Sequence, residues 1–316
     1  MFHKKRILLF ICFVLWSCSN TNNSANEVKV IADEIYEIML EDDIALRMKF
    51  GLPITKFPDM DYETARLKVE QSKKFIKKID AVDRKKISHT DDLTLSMMRQ
   101  HLQTRVDGLP HYWNGFSITP YMFGFQGRGM RQVFLTYQFD DQDDQDIYLS
   151  LMDEYADHLN QQQEKLKGQD DRGIRLPKPE LPLVISLLDQ YKSGMDAAFI
   201  PIDNRLSFFD DNARGAFTSS IRKKLDAEVL PALQKLIDFL NSDYKKRMPD
   251  NVGASQYPGG EDYYNYMIEY HTNSGLTAKE IHGIGLKRVE ELYEEMALIR
   301  GPVSYTHLTL PTKRIV

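Results

Sequence analysis

Residues 258–300 read PGGEDYYNYMIEYHTNSGLTAKEIHGIGLKRVEELYEEMALIR. Thr277 stands where a helix N-cap belongs, and Glu280 follows three residues later. This is the spacing of a capping box, in which the hydroxyl accepts the Glu280 N–H and the carboxylate reaches back to the Thr277 N–H. Leu276 and Ile281 flank the cap as a hydrophobic staple would. Beyond it Ile281, Ile284, Val289, Leu292, Met296 and Ile299 recur at helical intervals, giving one apolar face. Upstream, Tyr263, Tyr264, Met267, Ile268 and His271 form a shorter helical segment. Tyr264, Ile268 and His271 share a face there, because steps of four and three residues bring side chains together.

The same period runs back through most of the chain. Glu27–Phe50 predicts an amphipathic helix ended by Gly51-Leu52-Pro53, and Asp61–Ile79 and Asp91–Val106 predict two more. Asp144–Lys167, Leu181–Phe199 and Ser219–Tyr244 continue the pattern, the last with a kink expected at Pro231. No strand alternation and no internal repeat stands out. The fold class is therefore all-α, a multi-helix assembly.

Gly108–Asp140 is the exception. It is rich in aromatic residues, punctuated by Gly and Pro, and carries no evident helical period, so it predicts an irregular segment. Gly124-Phe125-Gln126-Gly127-Arg128-Gly129 has the wrong spacing for a phosphate loop, and no Lys-Ser/Thr pair follows it. The aromatics fit packing beneath a loop or, alternatively, one wall of a ligand groove. The acids between Asp140 and Asp146 lack the Gly and closing Glu of a calcium loop; they suit a helix N-terminus.

The N-terminus is a targeting segment. Lys4, Lys5 and Arg6 precede the apolar run Ile7–Trp16, which is too short to span a bilayer. Leu15-Trp16-Ser17-Cys18 resembles a bacterial lipobox, which implies cleavage before Cys18 and a lipid anchor on it, in the cell envelope. A plain secretory signal is the alternative. Residues 1–17 are thus expected to be a signal peptide, 18–26 a Ser/Asn-rich tether and 27–300 a helical domain. Both cysteines, Cys12 and Cys18, lie in this leader, so the body carries no disulfide and no thiolate chemistry. Removing the three basic residues moves the net charge from −5 to −8, which argues against a nucleic-acid partner.

Taken in order, Gly173-Ile174-Arg175-Leu176-Pro177-Lys178-Pro179, Leu230-Pro231-Ala232, the Tyr263-Tyr264 helix ending in His271-Thr272, and Glu280-Ile281-His282-Gly283-Ile284-Gly285 resemble the bacterial family known as domain of unknown function 885. That family is similar to helical zinc metallopeptidases of the H-E-x-x-H class. The resemblance implies a zinc cofactor, a peptide substrate and metal-assisted hydrolysis for a complete member. The family's zinc motif lies downstream of the Glu280 helix. None of the eight histidines here is followed by Glu, so no catalytic or metal residue carries over.

GPVSYTHLTLPTKRIV, residues 301–316, abandons the helical pattern and resembles translated adapter read-through. The expectation is the N-terminal part of a longer protein with a non-native tail, a short native strand or loop being the alternative. Tyr264, His271 and His282 are then candidate substrate-binding residues, lining a cleft completed by the missing half. Core packing for the tyrosine and hydrogen-bonded helix-end positions for the histidines are the plainer readings. A non-catalytic helical lipoprotein binding peptide or glycan is the second function considered.

Overall fold

The computed structural model describes residues 24–207 and 209–300, the side chains at 123–127 and 300 excepted. The lipobox with Cys18, and the segment 301–316, lie outside the described residues. Among those described there is no strand, and the fold is all-α. The chain divides after Gly260 into two compact units.

The first unit opens with α1 (24–42) and α2 (Ile44–Lys49). The sequence predicts one helix here. Asp43 interrupts it by leaving helical geometry and accepting the Leu46 N–H at 2.9 Å, the local competition that makes Asp a good cap and a poor helix interior. The expected stop at Gly51 is present: its φ of +64° closes α2, with the Leu52 N–H reaching the Arg47 carbonyl at 2.9 Å. Helices α3 (Tyr62–Ala81) and α4 (His89–Gly108) pack on each other. Val28, Ile31 and Ile35 of α1 join Ile76, Ile79, Leu95 and Leu102 in a small separate core.

The predicted irregular segment is the main correction. Residues Pro120–Thr136 form a regular helix, α5, with Thr119 capping it through the Met122 N–H at 3.1 Å and Pro120 in the first turn. Three glycines obscure the pattern, each costing about 1 kcal/mol in a helix. Burial of Met130, Val133 and Phe134, at roughly 1.5–3 kcal/mol each, outweighs them. The aromatics Phe134 and Phe139 are core residues, the first edge-on and the second tilted against Tyr148.

Helix α6 (Asp143–Asp171) is the axis of the larger core. Tyr148, Leu151, Met152, Tyr155, Leu159 and Leu166 are all buried along it. The acids before it serve its N-terminus: Asp141 Oδ1 accepts from the Asp143 and Asp144 N–H groups. The predicted Leu181–Phe199 helix is two, α7 (Leu181–Ser193) and α8 (Met195–Phe199). They part at Gly194, whose carbonyl accepts from Arg131 Nη2 at 3.0 Å. A side chain there would collide with the same guanidinium.

The predicted Ser219–Tyr244 run becomes α9 (Asp211–Lys224), one π-helical turn (Leu225–Val229), α10 (Leu230–Asn241) and α11 (Asp243–Arg247). At the wide turn the Leu230 N–H bonds back five residues to Leu225, and Pro231 enters the first turn of α10, where a missing N–H costs little. The Gly173–Pro179 connector is tied down on several sides. The Leu176 N–H reaches the Tyr244 hydroxyl at 2.9 Å, the Tyr257 hydroxyl bonds the Arg175 carbonyl, and Asp170 pairs with both Arg175 and Arg247.

The second unit holds α12 (Gly260–Thr272) from its second residue on, and α13 (Ala278–Arg300). Asn273 and Gly275, at φ +46° and +63°, turn the chain between them. The capping box forms as its spacing predicts: the Glu280 N–H lies 3.3 Å from Thr277 Oγ1, and the Thr277 N–H lies 2.8 Å from Glu280 Oε2.

Candidate functional site

A cavity of about 860 Å3 opens in the first unit. Its walls come from five separated segments: the α1–α2 junction, the loop 58–60, α4, α5 and α6. The loop is fixed from α6 and its surroundings. Glu154 accepts the Phe57 N–H at 2.5 Å, Gln161 Oε1 accepts the Met60 N–H at 2.8 Å, and Gln161 Nε2 donates to Asp59 at 2.9 Å. The Tyr112 hydroxyl donates to the Met60 carbonyl at 2.7 Å. Met39, Met48, Met60 and Met130 supply much of the apolar wall, with Ile44 and Leu46. Thioether chains adapt to ligands of different shape, and this volume lies within the range of small-molecule sites.

The charged groups on this wall are mostly satisfied. Asp42 lies between Lys68 Nζ at 2.7 Å and Arg105 Nη2 at 3.0 Å, all three partly buried. Asp59 accepts from Gln161 and pairs with Lys56 at 3.2 Å; the Gln161 hydrogen bond leads in holding its carboxyl below the usual range, against the cost of burial. Asp43 is spent as the α2 cap. Arg128, exposed at the rim, has no hydrogen bond or ion pair among the described residues.

Two histidines border the cavity. Burial and the nearby Arg105 both lower the pKa of His101. Burial pushes His158 down to about 4, so it is neutral near pH 7. Ser117 Oγ donates to Gln162 Oε1 at 2.5 Å, which turns the Gln162 amide nitrogen toward His158 Nε2 at 3.2 Å. In that network Nε2 accepts, and the ring proton resides on Nδ1, which has no partner among the described residues.

A second pocket, of about 330 Å3, lies beside Tyr62, Tyr112 and Trp113. Tyr62 stacks on Trp113 with ring centroids 5.8 Å apart. Lys165 Nζ sits 4.4 Å from the Tyr112 ring centre, and burial lowers its pKa to about 8. Asp157 and Asn160 complete a polar side.

None of the residues proposed from sequence lines the large cavity. Tyr264 and His271 lie on α12 and His282 in the second turn of α13, all exposed. Tyr270 packs edge-on against the His271 ring at 4.8 Å. None of the three lines either of the two pockets described above. Sequence reading missed Asp42, Arg105, Arg128 and His158. One signal was available: His158 and Gln162 fall on the buried stripe of α6, between Tyr155 and Leu166, where a polar residue needs a reason.

Among the described residues, no group of three or more His, Cys, Asp or Glu is placed to hold a metal ion. No helix among them is long and apolar enough to cross a membrane.

No curated protein sequence matches the chain. Its fold is similar to a crystal structure of a "putative lipoprotein" from Colwellia psychrerythraea, with a TM-score of 0.69 at 14% identity. The likeness covers 90% of this chain and 52% of that one, so the chain spans about half the length of that solved structure. The model of a bacterial family of unknown function matches from residue 46 to residue 312, running past Arg300 into the segment that departs from the helical pattern. On that match, the chain belongs to the DUF885 family of bacterial proteins.

Proposed function

We propose that this chain is the N-terminal helical half of an envelope-anchored zinc metallopeptidase, held by a lipid on Cys18 and carrying no hydrolytic machinery of its own. The observation that carries the reading is the apolar face of α13. Ile284 is 58% exposed, Val289 50%, Leu292 41% and Met296 47%. An amphipathic helix in a globular protein buries such a stripe against something. The half-length match to a solved relative supports a missing second half as the cover, and the description of that relative supports the anchor. Zinc, its ligands and the peptide site belong in this reading to the other half. Sequencing the genomic locus past codon 300 tests it: an in-frame H-E-x-x-H downstream is expected, and a long frame without that motif sinks it.

One observation favours a second reading, a non-catalytic lipoprotein that binds peptide or glycan. Tyr62, Tyr112 and Trp113 border a pocket with Asp157 and Asn160, and aromatic faces beside amide and carboxylate groups suit either ligand. Titration of the full chain with tri- and tetrasaccharides and short peptides, against a Tyr62→Ala variant, decides this. Binding that the variant retains removes the reading.

A further inference from the structure

We propose that the cavity between the α1–α2 junction and α5–α6 binds a ligand with an apolar body and one terminal carboxylate. The apolar body follows from the walls: Ile44 and the four methionines named above present hydrocarbon and thioether surface to a solvent-open cavity of about 860 Å3. The sign of the head follows from the charges. Each carboxylate on the wall is already engaged: Asp42 by Lys68 and Arg105, Asp59 by Gln161 and Lys56, Asp43 by the first turn of α2. Both histidines are shifted toward their neutral forms. Arg128 is the cation on this wall left without a partner among the described residues, and a planar guanidinium matches a carboxylate with two parallel N–H donors. A cationic head would be repelled by Arg128, and an uncharged head would gain no ion pair from it. The site requires nothing of the second unit and stands apart from either reading above.

Two sources share this chemistry, a medium-chain fatty acid and the C-terminus of a peptide ending in apolar residues. The test uses the full chain carrying Cys18→Ser, so that no acyl group of its own competes. Dodecanoate, below its micelle concentration, and N-acetyl-Leu-Leu with a free carboxylate are titrated by calorimetry, with dodecanol as the uncharged control.

One site per chain is expected, with Arg128→Gln weakening the carboxylates about tenfold and leaving dodecanol unchanged. Gly129 borders the cavity, and a Cβ there would meet nothing within 4 Å, so Gly129→Phe should fold and plug the site. Ala45→Trp blocks it from α2. Either plug should abolish binding, with helical circular dichroism retained. Leu292→Glu together with Met296→Glu on α13 should leave it intact.

Tighter binding of dodecanoate than of the dipeptide supports the proposal with an acyl source, and the reverse order supports it with a peptide source. Binding that survives both plugs, that disappears with the α13 substitutions, or that is as tight for dodecanol overturns it. So does failure of both carboxylates to bind.

Discussion

His158 and Gln162 stand one helical turn apart on α6, with His158 Nε2 and Gln162 Nε2 at 3.2 Å, and Ser117 fixes the amide between them. The arrangement holds a neutral imidazole inside the protein. An unfolded chain would protonate that ring near pH 6.5, whereas burial delays it to about 4 in the folded state. The unfolded state therefore binds more protons between these values, and stability falls as pH drops from 6.5 to 4. The group's contribution is complete above pH 6.5 and amounts to roughly 3 kcal/mol over the window. His158→Gln should remove most of this slope from urea melts taken across that range, whatever it does to stability at pH 7. Parallel slopes in the two proteins would mean the ring is hydrated in the folded state.

The Gly173–Pro179 connector depends on one buried hydroxyl. Tyr244 is fully buried, and its oxygen accepts the Leu176 N–H at 2.9 Å. Tyr244→Phe keeps the ring and orphans that N–H, which costs about 1–3 kcal/mol when water cannot replace the acceptor. Urea denaturation should report a loss of that size. Tyr257→Phe, at a hydroxyl that donates to a carbonyl in a less buried setting, should cost less. Equal effects would place the connector's stability elsewhere.

Gly168 lies in the last turn of α6, where Ala in place of a helical glycine would ordinarily add up to about 1 kcal/mol. Here the Trp113 ring packs directly over the glycine, and a Cβ would collide with it. Arg172 stacks above the same ring at 4.1 Å and donates to the Gly168 carbonyl at 2.7 Å, so the indole has little room to retreat. Gly168→Ala should therefore destabilise, by about 1–3 kcal/mol as overpacking does. Trp113→Leu in the same chain should recover part of that loss. A stabilised Gly168→Ala would mean the ring moves freely.

What could be read from the sequence was local. The Thr277–Glu280 box needs only residues three apart, and it formed as spacing dictates. Helices α3, α4 and α6 announced themselves by apolar period, since their buried residues lie on single stripes. Helix α5 did not, because Gly124, Gly127 and Gly129 interrupt the pattern while the buried Met130, Val133 and Phe134 cluster near its end. The Asp43 break turns on one side chain choosing the Leu46 N–H over a continuing helix, a choice that propensity leaves nearly even. The cavity was out of reach for another reason. Its walls join residues from Met39 to His158 that no short window contains. Tyr264, His271 and His282 were legible as a pattern, but periodicity does not say whether a face meets a partner or water.

That distinction can be measured on α13. Its polar side is well supplied, with Arg288 pairing with both Glu291 and Glu295 at 3.0 Å. The neighbouring side presents Val289, Leu292 and Met296 to solvent. Solvated apolar stripes of this kind drive association or dye binding. The full chain carrying Cys18→Ser should bind 1-anilinonaphthalene-8-sulfonate and self-associate in sedimentation velocity. Leu292→Glu with Met296→Glu should reduce both severalfold without loss of helicity. Lys287→Glu on the exposed polar side should change neither. Because the cavity can also take an amphipathic anion, the dye titration is repeated with the Gly129→Phe plug, which removes that contribution and leaves the α13 signal. If the plugged chain is monomeric and dark with dye, the stripe is already covered, and the half-protein reading loses the observation on which it stands.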